Sequence, residues 1–255
     1  MKIKELYQYM DTRIPRSLSC EWDNDGLMCC PDGDREVRRV LIALDVTDEI
    51  CDTAIAGGYD VIVAHHPFIF KGLKAINGED HISAKAIKLI SCGISVMSFH
   101  TRLDALCGGV NDMLAALLDL ENVSVFGDGD ETIGRIGELS APMNIGDFAK
   151  KVKKALKAPV VLYTDAKKDV KRVAVLGGSG SDDIGAAIAA GADTYVSGEL
   201  KYHDMTDSSE MGINLVEAGH FYTEYPVCHV LREIIVGADA DIECDVVFGC
   251  NIFAV

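Results

Sequence analysis

Thr53-Ala-Ile-Ala-Gly-Gly-Tyr-Asp-Val-Ile-Val-Ala64 returns later in the chain as Ala186-Ala-Ile-Ala-Ala-Gly-Ala-Asp-Thr-Tyr-Val-Ser197. The two stretches overlay without a gap at a shift of 133 residues, and the wider windows 39–66 and 172–199 share Arg, Val, Ala-Ile-Ala, Gly, Asp and Val. Each copy reads as the end of a helix, stopped by glycine and followed by a buried strand. Outward from this core, Val40-Leu-Ile-Ala-Leu44 and Arg172-Val-Ala-Val-Leu176 are short apolar runs suited to strands. The intervening helices are expected from about Asp48 to Ala56 and from Asp182 to Ala190. Downstream, a helix over about Ala84 to Ser91 leads to Gly93-Ile-Ser-Val-Met97, which corresponds to Gly212-Ile-Asn-Leu-Val216. Repeated strand–helix–strand units of this kind predict an α/β fold of two related halves. The halves are placed at 1–126 and 127–255, packed as one composite unit, with the acidic, turn-rich Gly127-Asp-Gly-Asp-Glu131 as connector. In the second half Ile136-Gly-Glu-Leu139 is strand-like. Asn144 is positioned to cap a helix reaching about Leu156, with Phe148, Val152 and Leu156 on its core face. Lys150, Lys151, Lys153, Lys154 and Lys157 fall on its solvated faces.

With 255 residues, 49% of them apolar and 25% charged, the chain has the balance of an ordinary globular protein. No apolar run reaches the roughly 20 residues of a membrane span. The N-terminal MKIKELYQYMDTRIP reads as an amphipathic helix without the apolar region of a signal peptide, so a cytoplasmic location is expected. Nine cysteines form no C-x-x-C pair. They are read as free thiols of a reducing compartment, with Cys51, Cys92 and Cys107 taken as small apolar residues within apolar segments. A formal net charge of −16 disfavours nucleic-acid binding, which needs clustered Lys and Arg. It leaves room for a small anionic substrate, because bound metal ions supply positive charge locally.

The residues that carry chemistry stand at strand ends, where open α/β sheets collect ligands. His65-His66 follows Val-Ile-Val-Ala64. In extended chain two adjacent side chains point to opposite faces, so this pair either serves two neighbouring ions or combines one ligand with one supporting donor. His100-Thr-Arg-Leu-Asp104 follows the next strand, and His220-Phe-Tyr-Thr-Glu224 follows the matching strand of the second half. A spacing of four places His and acid on one face of a helical turn. Imidazole with carboxylate suits zinc, iron, manganese, cobalt or nickel. Asp104 or Glu224 is the candidate to bridge two ions about 3.5–4 Å apart. Gly177-Gly-Ser-Gly-Ser181 is either a phosphate cradle or a plain tight turn. Glu199, Lys201, Tyr202, His203 and Asp204 follow the strand equivalent to the one bearing His65, a place suited to proton transfer or substrate contact. Trp22-Asp-Asn24 either lines the site or caps a loop. His81 and His229 read as ordinary surface residues or residues satisfied by local partners.

The sequence resembles the NIF3-like family of dinuclear-metal proteins, some members of which carry the name GTP cyclohydrolase 1 type 2 homologue. The matching segments are Trp22-Asp-Asn-Asp-Gly-Leu27, AHHPFIFKGLK at 64–74, FHTRLDALCGGVND at 99–112, GGSGSD at 177–182, SGELKYHD at 197–204 and AGHFYTEYP at 218–226. They lie in the family's order along nearly the whole chain. The resemblance implies two divalent ions per chain held by His65, His66, Asp104, His220 and Glu224. It places His100 in a supporting or substrate-facing position; Glu199 and His203 are candidates for catalysis through their place after the strand equivalent to the one bearing His65. The resemblance also implies that the two α/β halves are intertwined with mixed sheets, a toroidal homohexamer, and a short form without the central insert of longer members. Arg102 stands where a smaller polar residue is usual. Two functions follow as expectations: a metal-dependent hydrolase acting on a small anionic or nucleotide substrate, and, in the alternative, a non-enzymatic metal-handling or regulatory scaffold.

Overall fold

The computed structural model describes residues 1–128 and 131–255; Gly129 and Asp130, the middle of the expected acidic connector, lie outside the described residues. Contacts divide the chain into two compact units. Unit 1 comprises residues 1–103 and 227–251, and unit 2 comprises residues 104–226 and 252–255. The expected division at 126/127 therefore differs from the grouping by contact. The stretch from Asp104 to Phe126 packs with unit 2, and the chain returns to unit 1 at Val227.

Unit 1 begins with helix α1 (Ile3–Arg13), which buries Ile3, Leu6 and Met10 as the amphipathic reading requires. Strands β1 (Gly26–Cys29), β2 (Arg39–Ala43), β3 (Val61–Ala64) and β4 (Ser95–Ser98) follow, with helices α2 (Asp48–Gly57) and α3 (His81–Ser91) between them. Thr47 caps α2 by accepting from the Ile50 amide, and Gly58 ends it at φ 66°, a left-handed conformation that glycine adopts without Cβ strain. Asp80 caps α3 through the Ser83 amide. β2, β3 and β4 are parallel, and β1 runs antiparallel to β4. All four residues of β3 are buried, as expected for a parallel strand covered on both faces. Short helix α4 (Thr101–Ala105) spans the point where the chain passes into unit 2.

Unit 2 contains α5 (Val110–Leu117), β5 (Glu121–Asp128), β6 (Glu131–Met143), α6 (Ile145–Leu156), β7 (Leu162–Tyr163), β8 (Val170–Ser179), α7 (Ile184–Ala189), β9 (Thr194–Glu199), α8 (Tyr202–Met211), β10 (Asn214–Glu217) and α9 (His220–Glu224). Its sheet runs β5-β6-β8-β9-β10-β7, with β8, β9 and β10 parallel. Asn144 accepts from the Gly146 amide to cap α6, whose Phe148, Val152 and Leu156 are buried. The helix expected from Asp182 to Ala190 is a 3-10 turn over Ser181–Asp183 that leads into the shorter α7. The chain then re-enters unit 1 as α10 (Val227–Ala238) and β11 (Glu243–Val246), which pairs parallel with β2 and gives the order β1-β4-β3-β2-β11.

The repeat is present in the backbone register. Val40 faces Val61 across β2 and β3, and Val173 faces Thr194 across β8 and β9, a separation of 21 residues in both. All nine cysteines are free. Burial pushes the Cys51 thiol up to about 11, but Cys92 and Cys107 are exposed, contrary to their reading as apolar filler. Cys92 sits at the C-cap of α3, where the helix runs out into solvent. Among the described residues no helix is long and apolar enough to cross a membrane.

Candidate metal centre

In unit 1, β3 ends at Ala64, and the chain bends at His65 and His66. The alternation of an extended strand stops there. Both rings consequently come to one place, with centroids 5.1 Å apart, and do not point to opposite faces. His100, directly after β4, completes a triangle, its ring 5.4 Å from His65 and 5.8 Å from His66. One ligand atom from each of the three lies within 4.8 Å of the others.

Each ring is held through Nδ1. His65 is fully buried, and its Nδ1 lies 2.9 Å from the Phe99 carbonyl oxygen. His66 Nδ1 lies 2.7 Å from Asp45 Oδ1, and His100 Nδ1 lies 2.9 Å from Asp23 Oδ1. A carbonyl or carboxylate oxygen only accepts, so Nδ1 is the protonated nitrogen in each neutral ring and Nε2 keeps the lone pair. This is the arrangement by which proteins fix the tautomer of a metal-binding histidine. Burial alone would raise the Asp23 carboxyl, but hydrogen bonds from His100 and Thr101 outweigh it and hold the group down at about 2.

Arg102, whose role the sequence left open, is fully buried and structural. Its Nε donates to Asp25 Oδ2 at 2.8 Å, and its Nη1 donates to Asp11 Oδ1 at 2.6 Å and to the Ile14 carbonyl at 2.9 Å. Asp25 Oδ2 also accepts from the His100 amide at 3.2 Å. The Arg102–Asp25 pair thus fixes the backbone from which His100 projects. Of the two readings offered for Trp22-Asp-Asn24, Asp23 stands beside the histidines, whereas Asp25 and Asp45 are supporting groups that sequence reasoning did not assign. Asp45 carried a usable signal, since it stands two residues after β2 on the same carboxyl edge as His65.

In unit 2 the donors are carboxylates with one imidazole. His220 Nε2 lies 3.0 Å from Glu224 Oε2 one turn along α9, and its Nδ1 lies 3.0 Å from Glu199 Oε1 at the end of β9. Glu224 is buried, and a carboxylate oxygen of Asp104 lies within 4.8 Å of one of its own. The glycine-rich end of β8 is the bed for this group. A Cβ on Gly178, which has φ 70°, would stand 2.2 Å from Glu224 Oε1 and 3.2 Å from His220 Nε2. The Gly177 amide donates to Asn111 Oδ1, that of Gly178 to Thr223 Oγ1 and that of Gly180 to the Glu199 carbonyl. With those donors committed inside the protein, the segment is the irregular end of β8 supporting the carboxylate, and neither the phosphate cradle nor the plain tight turn describes it.

Matching hydrogen bonds also correct the alignment of the two H-x-x-x-acid motifs. The Phe99 amide donates to the Ala64 carbonyl, and the Ala218 amide donates to the Ser197 carbonyl. Residue 99 therefore corresponds to 218, so His100 aligns with Gly219 and Thr101 with His220. His100 precedes its helix whereas His220 opens its own, a displacement of one residue or about 100° of helical rotation. His203 is exposed on α8, edge-on to Tyr202, and belongs to no potential metal-binding group among the described residues. Lys201 pairs with Asp182.

Residues 1–251 match the Duf34/NIF3 (NGG1p interacting factor 3) family. The chain belongs to that family. A Clostridium acetobutylicum relative called GTP cyclohydrolase 1 type 2 homolog is 35% identical over 246 residues, covering 93% of this chain and 91% of its own. Among solved structures, a Staphylococcus aureus hypothetical protein matches with a TM-score of 0.89 at 29% identity, over 100% of this chain and 99% of that one. A Bacillus cereus protein related to NIF3 gives a TM-score of 0.89 at 25% identity with the same coverage. The two mixed α/β sheets are therefore the NIF3 fold. An S. aureus relative of the same GTP cyclohydrolase name aligns over 344 positions against 92% of this chain, so its sequence carries an insertion relative to the 255 residues here.

Proposed function

We propose that this chain is a dinuclear divalent-metal protein, with His65, His66, Asp104, His220 and Glu224 as ligands, and that it is a hydrolase of a small anionic or nucleotide substrate. The observation that carries the metal reading is the trio of imidazoles whose Nδ1 atoms are all held by protein oxygens. Such a cluster of Nε2 lone pairs, in a chain that also converges Asp104, His220 and Glu224, fits zinc, iron, manganese, cobalt or nickel. When bound, ions of this class supply Lewis acidity and an activated water at neutral pH. The chain's own groups set the rest. The Phe99 carbonyl and Asp45 orient His65 and His66 as ligands, and the charge of Asp45 makes His66 a stronger donor. Asp104 and Glu224 are the carboxylates suited to bridging. His100, part-exposed and steered by Asp23, can accept a proton at Nε2 on the substrate side, and Glu199 behind His220 provides a second carboxylate. The nucleotide class rests on the names of the relatives, and a toroidal homohexamer rests on the family resemblance.

Elemental analysis of anaerobically purified protein tests the centre. About two ions per chain are expected, falling in His65→Ala and in Glu224→Ala; a value below one overturns the dinuclear proposal. The metal-loaded protein should then turn over a member of a nucleotide and phosphoester panel. Rates no higher than those of His66→Ala would remove the hydrolase half and leave a metal-handling protein.

A further inference from the structure

Three aromatic rings meet beside the unit 1 imidazoles. Trp22, Phe70 and His100 have centroids 6.2 Å apart in every pair, and their planes cross at 76°, 77° and 89°. Three mutually near-perpendicular planes at equal spacing form the corner of a box. Two of its walls face water, Trp22 being 58% and Phe70 47% exposed.

We propose that this corner is a stacking subsite for a planar heteroaromatic ring on the ligand of the metal centre. The inference rests on the metal reading above and adds to it the part of the ligand that the protein grips. The corner is built in advance. Asp23, next to Trp22, holds the His100 ring and the Thr101 amide, and Asn24 donates through Nδ2 to the Ile69 carbonyl beside Phe70. Two successive residues thus tie the Trp22 segment to both other walls, so little ordering remains when a guest arrives. A flat ring lying on one wall meets the other two edge-on, the geometry that aromatic pairs prefer. Divalent ions at the adjacent imidazoles would repel a cationic guest, which selects a neutral or anionic ring. Phe70 also walls a cavity of about 600 Å³ whose lining includes Lys71 and Lys74. That volume lies within the range of small-molecule sites and gives positive charge to the anionic remainder of such a ligand.

Trp22 is the one tryptophan in the chain, so its fluorescence reports the corner directly. Metal-loaded protein is titrated with guanosine 5′-monophosphate, uridine 5′-monophosphate and ribose 5-phosphate, with metal content measured on the same samples. Saturable quenching by both nucleotides and none by the sugar phosphate is expected. Phe70→Ala should weaken nucleotide binding about tenfold and Phe70→Tyr should restore it. Trp22→Ala, followed by equilibrium dialysis, should lose about as much. Protein that holds metal but binds the sugar phosphate as tightly as the nucleotides, or binds neither, overturns the subsite. So does nucleotide binding that survives both alanine variants, including the case where Trp22→Ala changes only the oligomeric state. Quenching by nucleotides in protein that retains no metal would keep the subsite and remove the metal reading.

Discussion

In unit 1 the Asp60 carboxylate accepts from the backbone amides of Arg38 and Arg39, at 2.8 and 3.0 Å. In unit 2, 133 residues on, Asp193 accepts from those of Lys171 and Arg172, at 3.0 and 2.7 Å. Each Asp precedes the middle parallel strand and closes the entrance of the neighbouring one, so the amino ends of the two sheets are built alike. The carboxyl ends are not. After β3 comes buried His65; the matching position, still within the longer β9, is Gly198, where a Cβ would lie 2.6 Å from the Gly178 carbonyl and 2.7 Å from His220 Cα. One sheet end is opened for imidazoles and the other is packed with backbone under α9. The duplicated frame has kept what the fold requires and diverged where ligands collect.

The largest expected effect comes from forcing the two ends to be the same. Gly198→His places a ring against backbone on two sides, where nothing flexible can yield, and should destabilise the protein by about 3 kcal/mol or more in denaturant unfolding. The converse change, His65→Gly, should leave a folded chain that has lost metal. If Gly198→His folds with wild-type stability, the packed description of the unit 2 end is wrong.

Next come the entrances. Asp60→Ala should cost about 2–3 kcal/mol, because it strands two amides and the Arg35 guanidinium that also binds Asp60. Asp193→Ala, part-exposed and without an arginine, should cost about 1–2 kcal/mol. The comparison has a pH signature. Burial pushes the Asp60 carboxyl up, but the Arg38 and Arg39 amides and the Arg35 guanidinium outweigh it, so the group lies below its ordinary 3.8 when folded. A lowered folded pKa contributes stability in full above the ordinary carboxylate range, and that contribution is lost as pH falls through the folded value. Unfolding midpoints measured from pH 6 downward should therefore drop below about pH 4 in the wild type, and the drop should be shallower in Asp60→Asn.

What could be read from sequence divides along the same line. The frame was legible because a buried parallel strand and a glycine-stopped helix leave local marks, as at 53–64 and 186–197. The return of β11 to pair with β2 left none, because a parallel edge partner about 200 residues away is a non-local contact. Near the site, the residue types at strand ends were legible but their directions were not. The bend after Ala64 reverses the expected divergence of His65 and His66. The one-residue offset between His100 and His220 is set by hydrogen-bond register, which identical H-x-x-x-acid spacing conceals. Gly178 looked like a ligand cradle because its φ and its closeness to Glu224 are properties of the folded chain.

A smaller effect should separate the carboxylates standing behind the histidines. Asp45→Asn keeps an acceptor for His66 Nδ1 but removes the charge, and metal affinity measured by chelator competition should fall about tenfold. Glu199→Gln should do less, because the Glu199 side chain is more exposed than that of Asp45 and solvent screens its charge on His220 more strongly. Equal losses would mean that the two carboxylates act on their imidazoles with equal strength.

The smallest effect should also be the most nearly equal. Gly58 and Gly191 end the paired helices of the repeat at φ 66° and 84°, both left-handed. A Cβ on Gly58 would meet nothing within 4 Å, and one on Gly191 would meet only Arg172 Nε at an ordinary 3.7 Å. Neither position has a clash to add, so alanine pays only the backbone penalty of that conformation. Gly58→Ala and Gly191→Ala should each destabilise by about 1 kcal/mol, and by amounts that agree to within about half of that. Equality here, beside the large inequality between His65→Gly and Gly198→His, would show that the two units share a frame and differ at the strand ends. A markedly larger loss at one glycine would place a further difference inside the frame itself, at the helix end just before β3 or β9.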